Sequence, residues 1–179
     1  MSLNDHTFRA VIFDMDGVLI DSEPLWKIAM LDVFSSLGST LTAEDFQRTV
    51  GLRIDQVVEY WNHEDQWGID DIHSVVDQII DRMVVLIAEN PFPLPGVIDT
   101  LNYLSETDIK IGLATSSPQR LIDAVLKYLN MAHYFDAVHS AEFERYGKPH
   151  PDVYLKTADS LGVKPNKCLV IEDSLNGVI

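Results

Sequence analysis

Three short apolar runs end abruptly in polar residues, and this repeated join restricts the chain more than any other feature of it. Ala10–Phe13 runs into Asp14, Cys168–Ile171 runs into Glu172 and Asp173, and a similar run at 109–114 meets Thr115, Ser116 and Ser117. Runs this short, apolar throughout and bounded by polar residues, read as buried parallel strands. Open α/β sheets bind ligands outside the carboxyl ends of their strands, so the three polar clusters are expected to converge. Helical periodicity lies between them, over 97–104, over 120–129 with Pro118 at its start, and over 152–161 with Gly162 behind it. Strand and helix in alternation predict an α/β fold on a doubly wound parallel sheet.

One crossover is far too long. Asp14 and Thr115 stand about a hundred positions apart, where a helix and two loops would suffice. Residues 24–90 carry almost no strand signal, but Trp26, Met30, Val33, Phe34 and Leu37 share one helical face before Gly38. Thr42 with Asp45 resembles a capping box, 54–61 continues the helical period, and 70–89 reads as a long amphipathic helix. The expectation is therefore a core of residues 1–22 and 92–179, with a helical cap of residues 23–91 inserted between its first two strands. Residues 21–24 and the run Pro91, Pro93 and Pro95 would be the hinges of a mobile lid. Ser174 opens a helical pattern just before Ile179, so a further C-terminal part of the core is expected beyond this sequence.

Composition narrows the partners. A formal charge of −15 argues against a nucleic acid or an anionic membrane surface, both of which repel such a protein. A small anion remains accessible, because a few converging cations or one metal ion can reverse the potential inside a single cleft. Cys168 is the only cysteine, which precludes an internal disulfide and fits a reducing cytoplasm. No stretch approaches membrane-spanning length, and no signal-peptide pattern opens the chain. A monomer is the default expectation.

Asp14 and Asp16, leaving a buried strand together just before Gly17, concentrate negative charge that a cation would offset. Carboxylates with carbonyl and water oxygens suit Mg²⁺. Asp173 arrives from the other acid-terminated strand, Lys148 could hold a phosphate beside Asp14, and Thr115 and Ser116 with nearby backbone N–H groups could bind its oxygens. In chain order, "DMDGVLIDSEP", "ATSS", "KPHPDVY" and "IEDS" resemble the four signature motifs of haloacid dehalogenase-like hydrolases.

That resemblance implies a Rossmann-like core and a Mg²⁺-dependent phosphatase acting on a small phosphorylated metabolite. Asp14 would be the nucleophile, Asp16 the general acid and base, and Thr115 and Lys148 the clamp on the transferring phosphoryl. The metal would take Asp14, the backbone carbonyl of Asp16, Asp173 and, directly or through water, Glu172. The insert resembles the cap of the subgroup that contains β-phosphoglucomutase and small sugar-phosphate phosphatases. "IDSEPLW", "GLRIDQVVEYW" and "EDSLNG" are most similar to bacterial hexitol and 2-deoxyglucose-6-phosphate phosphatases. By the same likeness, Gly51, Leu52 and Arg53 would reach into the site, with Arg53 on the polar end of the substrate.

Each residue also has a structural reading. Asp14 and Asp16 alone could cap a turn, Lys148 could be a solvated loop lysine, Thr115 and Ser116 could be an ordinary helix start, and Arg53 could be a surface ion-pair partner. Trp26, Tyr60, Trp61 and Trp67 could line a sugar site, although aromatic residues at helical spacing are usually core. Glu23, beside the first hinge, could touch substrate or only a backbone N–H. Four motifs in order favour catalysis for the core residues. The rival functions are a phosphomutase using the same residues, a dehalogenase, which Asp16 argues against, and a non-catalytic phosphometabolite sensor.

Overall fold

The computed structural model describes residues 8–50 and 52–179. Four parallel strands, β1 (Ala10–Phe13), β2 (Lys110–Thr115), β3 (Ala137–Ser140) and β4 (Cys168–Ile171), form one sheet in the order β3-β2-β1-β4. Central β1 is buried along its whole length, as its unbroken apolar run requires. Its side chains divide by the period of two. Val11 and Phe13 enter the larger core with Leu101 of α4 (Val97–Ser105) and Leu121 and Val125 of α5 (Gln119–Tyr128). Ala10 and Ile12 meet Val153 and Ala158 of α6 (Asp152–Ser160) on the opposite face. Helices on both faces make the doubly wound α/β architecture.

Gly112 sets the spacing of one of these layers. A Cβ at this position of β2 would lie 2.7 Å from Thr157 Cγ2 and 3.1 Å from Leu161 Cδ1, so α6 packs against bare backbone.

The long crossover holds helices and, among its described residues, no strand of the sheet. These are α1 (Glu23–Ser36), α2 (Ile54–Glu64) and α3 (Ile72–Glu89), with a short 3₁₀ turn at Asp45–Thr49. Pro24 stands in the first turn of α1, where its missing N–H costs nothing, and the Asp71 carboxylate accepts from Ser74 N at 3.0 Å to cap α3. The expected capping box at Thr42 forms only in part. The Asp45 carboxylate accepts from both the backbone and the hydroxyl of Thr42 at 2.8 Å, and the turn that follows is 3₁₀ rather than α. Phe34, Phe46, Trp61 and Trp67 pack together with ring centroids 4.7–6.3 Å apart, so Trp61 and Trp67 are core aromatics. The chain leaves and re-enters the sheet at one place, where Leu94 N donates to Leu19 O at 2.9 Å and Ile20 bridges Pro93.

Two strand expectations need correction. β3 was not foreseen, because Ala137–Ser140 offers only two apolar residues before His139 and lies at the sheet edge, half-buried. β4 is parallel as expected but not buried. It pairs only with β1, and Leu169 and Val170 are 37% and 38% exposed.

α7 (Leu175–Val178) follows β4. No helix among the described residues is long and apolar enough to cross a membrane.

Candidate active site

Register brings the polar ends to one level. Phe13 pairs with Leu113 on one side and Ile171 on the other, so Asp14, Thr115 and Glu172 leave the sheet at the same edge. Asp14 N donates to Ile171 O at 2.9 Å and prolongs the ladder by one residue, leaving the side chain 8% exposed. Lys148, 4% exposed, comes from the loop between β3 and α6. Its Nζ stands 2.9 Å from Asp14 Oδ1 and 2.7 Å from Glu172 Oε2. The approach to Asp14 lies outside hydrogen-bonding angles, so that oxygen is buried with no hydrogen bond. Burial pushes Asp14 up to about 7 against the pull of Lys148, with Glu172 and Asp16 adding to the rise. Lys148 goes the other way. Burial would lower it, but Asp14, Tyr154 and Glu172 together hold it above the ordinary lysine range, so it is a fixed cation.

Glu172 is nearly saturated. Its Oε2 accepts from Lys148 and from the Tyr154 hydroxyl, and its Oε1 from Ser174 N and Oγ at 3.0 and 2.7 Å. Burial opposes its ionisation, yet Lys148 and these donors keep its carboxyl below the usual range. Tyr154 also sets its ring 5.0 Å from Lys148 Nζ. It was missed as a site residue although it closes the motif "KPHPDVY", where its spacing from Lys148 puts it on the first turn of α6.

Asp16 faces the cleft from another direction. Oδ1 accepts from Ser22 Oγ at 2.5 Å and Trp26 Nε1 at 3.0 Å, and Oδ2 from Ser117 Oγ at 2.6 Å and, more weakly, Thr115 Oγ1 at 3.5 Å. Ser22 and Ser117 had no assigned role, and Trp26 had been weighed only as core or sugar wall. All three stand inside or beside the quoted motifs, but contact with Asp16 needs the fold.

Asp14, Asp16, Thr115, Ser116, Lys148 and Asp173 line one cleft of about 350 Å³, closed on its other side by α1, the 3₁₀ turn and α2 through Trp26, Met30, Phe46, Leu52, Ile54 and Val57. The hydroxyl of Ser116 is buried there without a partner. Glu23 and Lys27, on the rim, pair with each other at 2.7 Å. Arg53 does not line the cleft. Its guanidinium binds Asp55 and two backbone carbonyls and is not brought together with the other expected site residues. Leu52 does line it, and Gly51 falls outside the described residues.

Carboxylate oxygens of Asp14, Glu172 and Asp173 lie within 4.8 Å of one another. Burial, reinforced by Glu172, raises Asp173 as well. Gly17, at φ +72°, admits Asp173 where any Cβ would overlap its carboxylate. Hard oxygen ligands, crowded and with one buried oxygen lacking a hydrogen bond, fit a small divalent cation. The Asp16 carboxylate lies outside this cluster, turned to its four donors.

A strand-end aspartate beside a buried lysine faces a second aspartate under a helical insert, and comparison with known proteins places this arrangement in a family. The chain belongs to the haloacid dehalogenase-like hydrolase family, whose profile matches residues 8–179. It is 44% identical over 171 residues to hexitol phosphatase B of Escherichia coli (strain K12), an alignment covering 95% of this chain and 77% of that protein. It is 36% identical over 175 residues to a phosphorylated carbohydrates phosphatase of Thermotoga maritima, covering 95% and 78%. Among solved structures, β-phosphoglucomutase from Clostridium difficile superposes with a TM-score of 0.86 at 25% identity, over 96% of this chain and 78% of that one.

Proposed function

We propose that this phosphatase hydrolyses monophosphate esters of six-carbon sugars or hexitols through an aspartyl-phosphate on Asp14. The observation that carries the proposal is a buried strand-end carboxylate held 2.9 Å from a buried, firmly protonated lysine, at the floor of a cleft large enough for a sugar phosphate. The similarity to the Escherichia coli and Thermotoga maritima phosphatases supports the ester class.

Residues 23–91 act as a cap over a core of 1–22 and 92–179. Lys148, Thr115 and the free hydroxyl of Ser116 hold the phosphoryl oxygens. A carboxylate oxygen of Asp14 attacks phosphorus as the ester P–O bond breaks, and Asp16 gives its proton to the departing alkoxide. Asp16 then takes a proton from water, which attacks phosphorus and breaks the bond to Asp14, releasing phosphate. Ser22, Trp26, Ser117 and Thr115 keep the Asp16 carboxylate aimed at that position. Asp14, Asp173 and the Asp16 backbone carbonyl would hold Mg²⁺, with Glu172 directly or through water. When bound, the ion supplies the charge neutralisation that lets an anionic carboxylate meet an anionic ester.

The phosphomutase reading uses the same residues and draws support from the solved β-phosphoglucomutase structure. A mutase must also hold a second phosphate, and the rim cation Lys27 is engaged by Glu23, while Arg53, off the cleft, is engaged by Asp55. Hydrolysis is favoured.

Phosphate release from an aryl phosphate, with and without Mg²⁺, tests the scheme. Wild-type protein turns over only with the metal, and Asp14→Asn loses at least about a thousand-fold in kcat, as removal of a nucleophile does. Undiminished turnover by Asp14→Asn refutes the mechanism.

A further inference from the structure

Arg53 stands at the N-terminal end of α2, and its guanidinium is fully engaged away from the cleft. Nε and Nη2 take the two oxygens of Asp55 at 3.1 and 2.6 Å. Nη1 reaches across to the sheet-bearing part of the molecule and donates to the carbonyls of Ala141 at 3.3 Å and Glu144 at 3.2 Å. The aliphatic stem lies on Gly147, where an added Cβ would stand 3.0 Å from both Cγ and Cδ of Arg53. Ala141, Glu144 and Gly147 all belong to the segment between β3 and α6 that carries Lys148, and the arginine side chain is only 18% exposed. A second tie lies nearby, where Asn176 Nδ2 donates to Val50 O at 3.3 Å. Val50 and Leu52 face the cleft between the two ties.

We infer that Arg53 is a latch that holds the helical insert closed over the cleft, a positioning residue that makes no contact with substrate. The chemistry suits a reversible catch. Asp55 neutralises the guanidinium from within the insert, so opening strands no unpaired charge, and what crosses the boundary is two hydrogen bonds to neutral carbonyls and one packed stem. Two such bonds bias the closed-to-open ratio on the order of ten-fold or more. Gly147 is part of the same device, since a side chain there would stand in tight contact with the stem and push it aside by a few tenths of an ångström. Losing the latch lowers the fraction of molecules ready to bind, which raises apparent KM equally for every substrate and leaves kcat nearly unchanged, because bound substrate restores closure.

The kinetic part of the inference rests on the phosphatase reading; the exchange part does not. Arg53→Met, which keeps the stem, and Gly147→Ala, which displaces it, are compared with wild type after thermal melts establish that each is folded. KM is expected to rise about ten-fold for an aryl phosphate and for a hexose phosphate alike, with kcat within about two-fold. Amide hydrogen exchange in metal-free protein is expected to quicken at residues 52–57 and 141–148 in both variants. The double variant should be no worse than Gly147→Ala alone, whereas damage passing from position 147 to Lys148 would add to the Arg53 effect. A KM rise confined to the hexose phosphate overturns the latch in favour of substrate contact. Exchange unchanged in both segments also overturns it. Failure of wild type to release phosphate would refute the phosphatase reading, and the exchange result would still decide the latch.

Discussion

Asp14 and Lys148 make opposite demands on the fold. The lysine is charged at any working pH, held so by its acidic neighbours, whereas burial favours the neutral form of Asp14 and lifts it to about 7. A carboxyl raised in the folded state adds stability that is complete below its unfolded value, about 4, and that disappears as pH climbs through 7. Metal-free protein should therefore lose stability between about pH 4 and pH 7 on account of this group. Mg²⁺, which favours the ionised form, should raise the melting temperature more at pH 8 than at pH 5, by roughly several degrees. Melting curves of wild type and Asp14→Asn check this. In the variant the destabilising rise through pH 7 should be absent, and a metal effect equally large at both pH values in wild type would contradict the assignment.

Among the elements, the sheet–helix spacing at Gly112 provides a test independent of catalysis. Gly112→Ala forces the Thr157 and Leu161 side chains, and with them α6, away from β2. It should lower the urea midpoint by an amount equivalent to about 1–3 kcal/mol without changing the slope. An unchanged midpoint would mean that this interface yields freely. The same elements show where sequence reading succeeds. β1, β2 and the helices α3 to α6 announce themselves by long periodicity or unbroken apolar runs, and aspartates mark the strand ends. β3 did not, because two apolar residues at a sheet edge carry no period, and its pairing with β2 comes from tertiary context. Asp14, Asp16, Lys148 and Asp173 could be singled out because their motifs have fixed spacing, and the fold sets them along one cleft. Tyr154, Ser22, Trp26 and Ser117 were not assigned, since each acts through a contact with Glu172 or Asp16 that only folding creates. Arg53 sits off the cleft for the converse reason. Its position in the sequence is that of a residue near the cleft, but Asp55 two positions later captures it.

At the scale of the molecule, function follows from where the insert meets the sheet. The charged groups of the floor come from strand ends and the Lys148 loop, while the facing wall, with Trp26, Met30, Phe46 and Val57, is largely apolar. One phosphate can be bound at the floor and a carbon chain can lie against the wall. A hexose, deoxyhexose or hexitol monophosphate should therefore rank first by kcat/KM in a panel that includes pentose phosphates, phosphoglycolate and nucleotides. A nucleotide or phosphoglycolate at the top would refute the substrate class and leave the chemistry standing. The chemistry itself turns on which atom receives the phosphoryl group. A single turnover stopped in acid, followed by mass spectrometry of the peptides, should find one phosphoryl group on Asp14. Phosphate on any other residue, or product formed with no phosphorylated peptide at any time, would contradict the account.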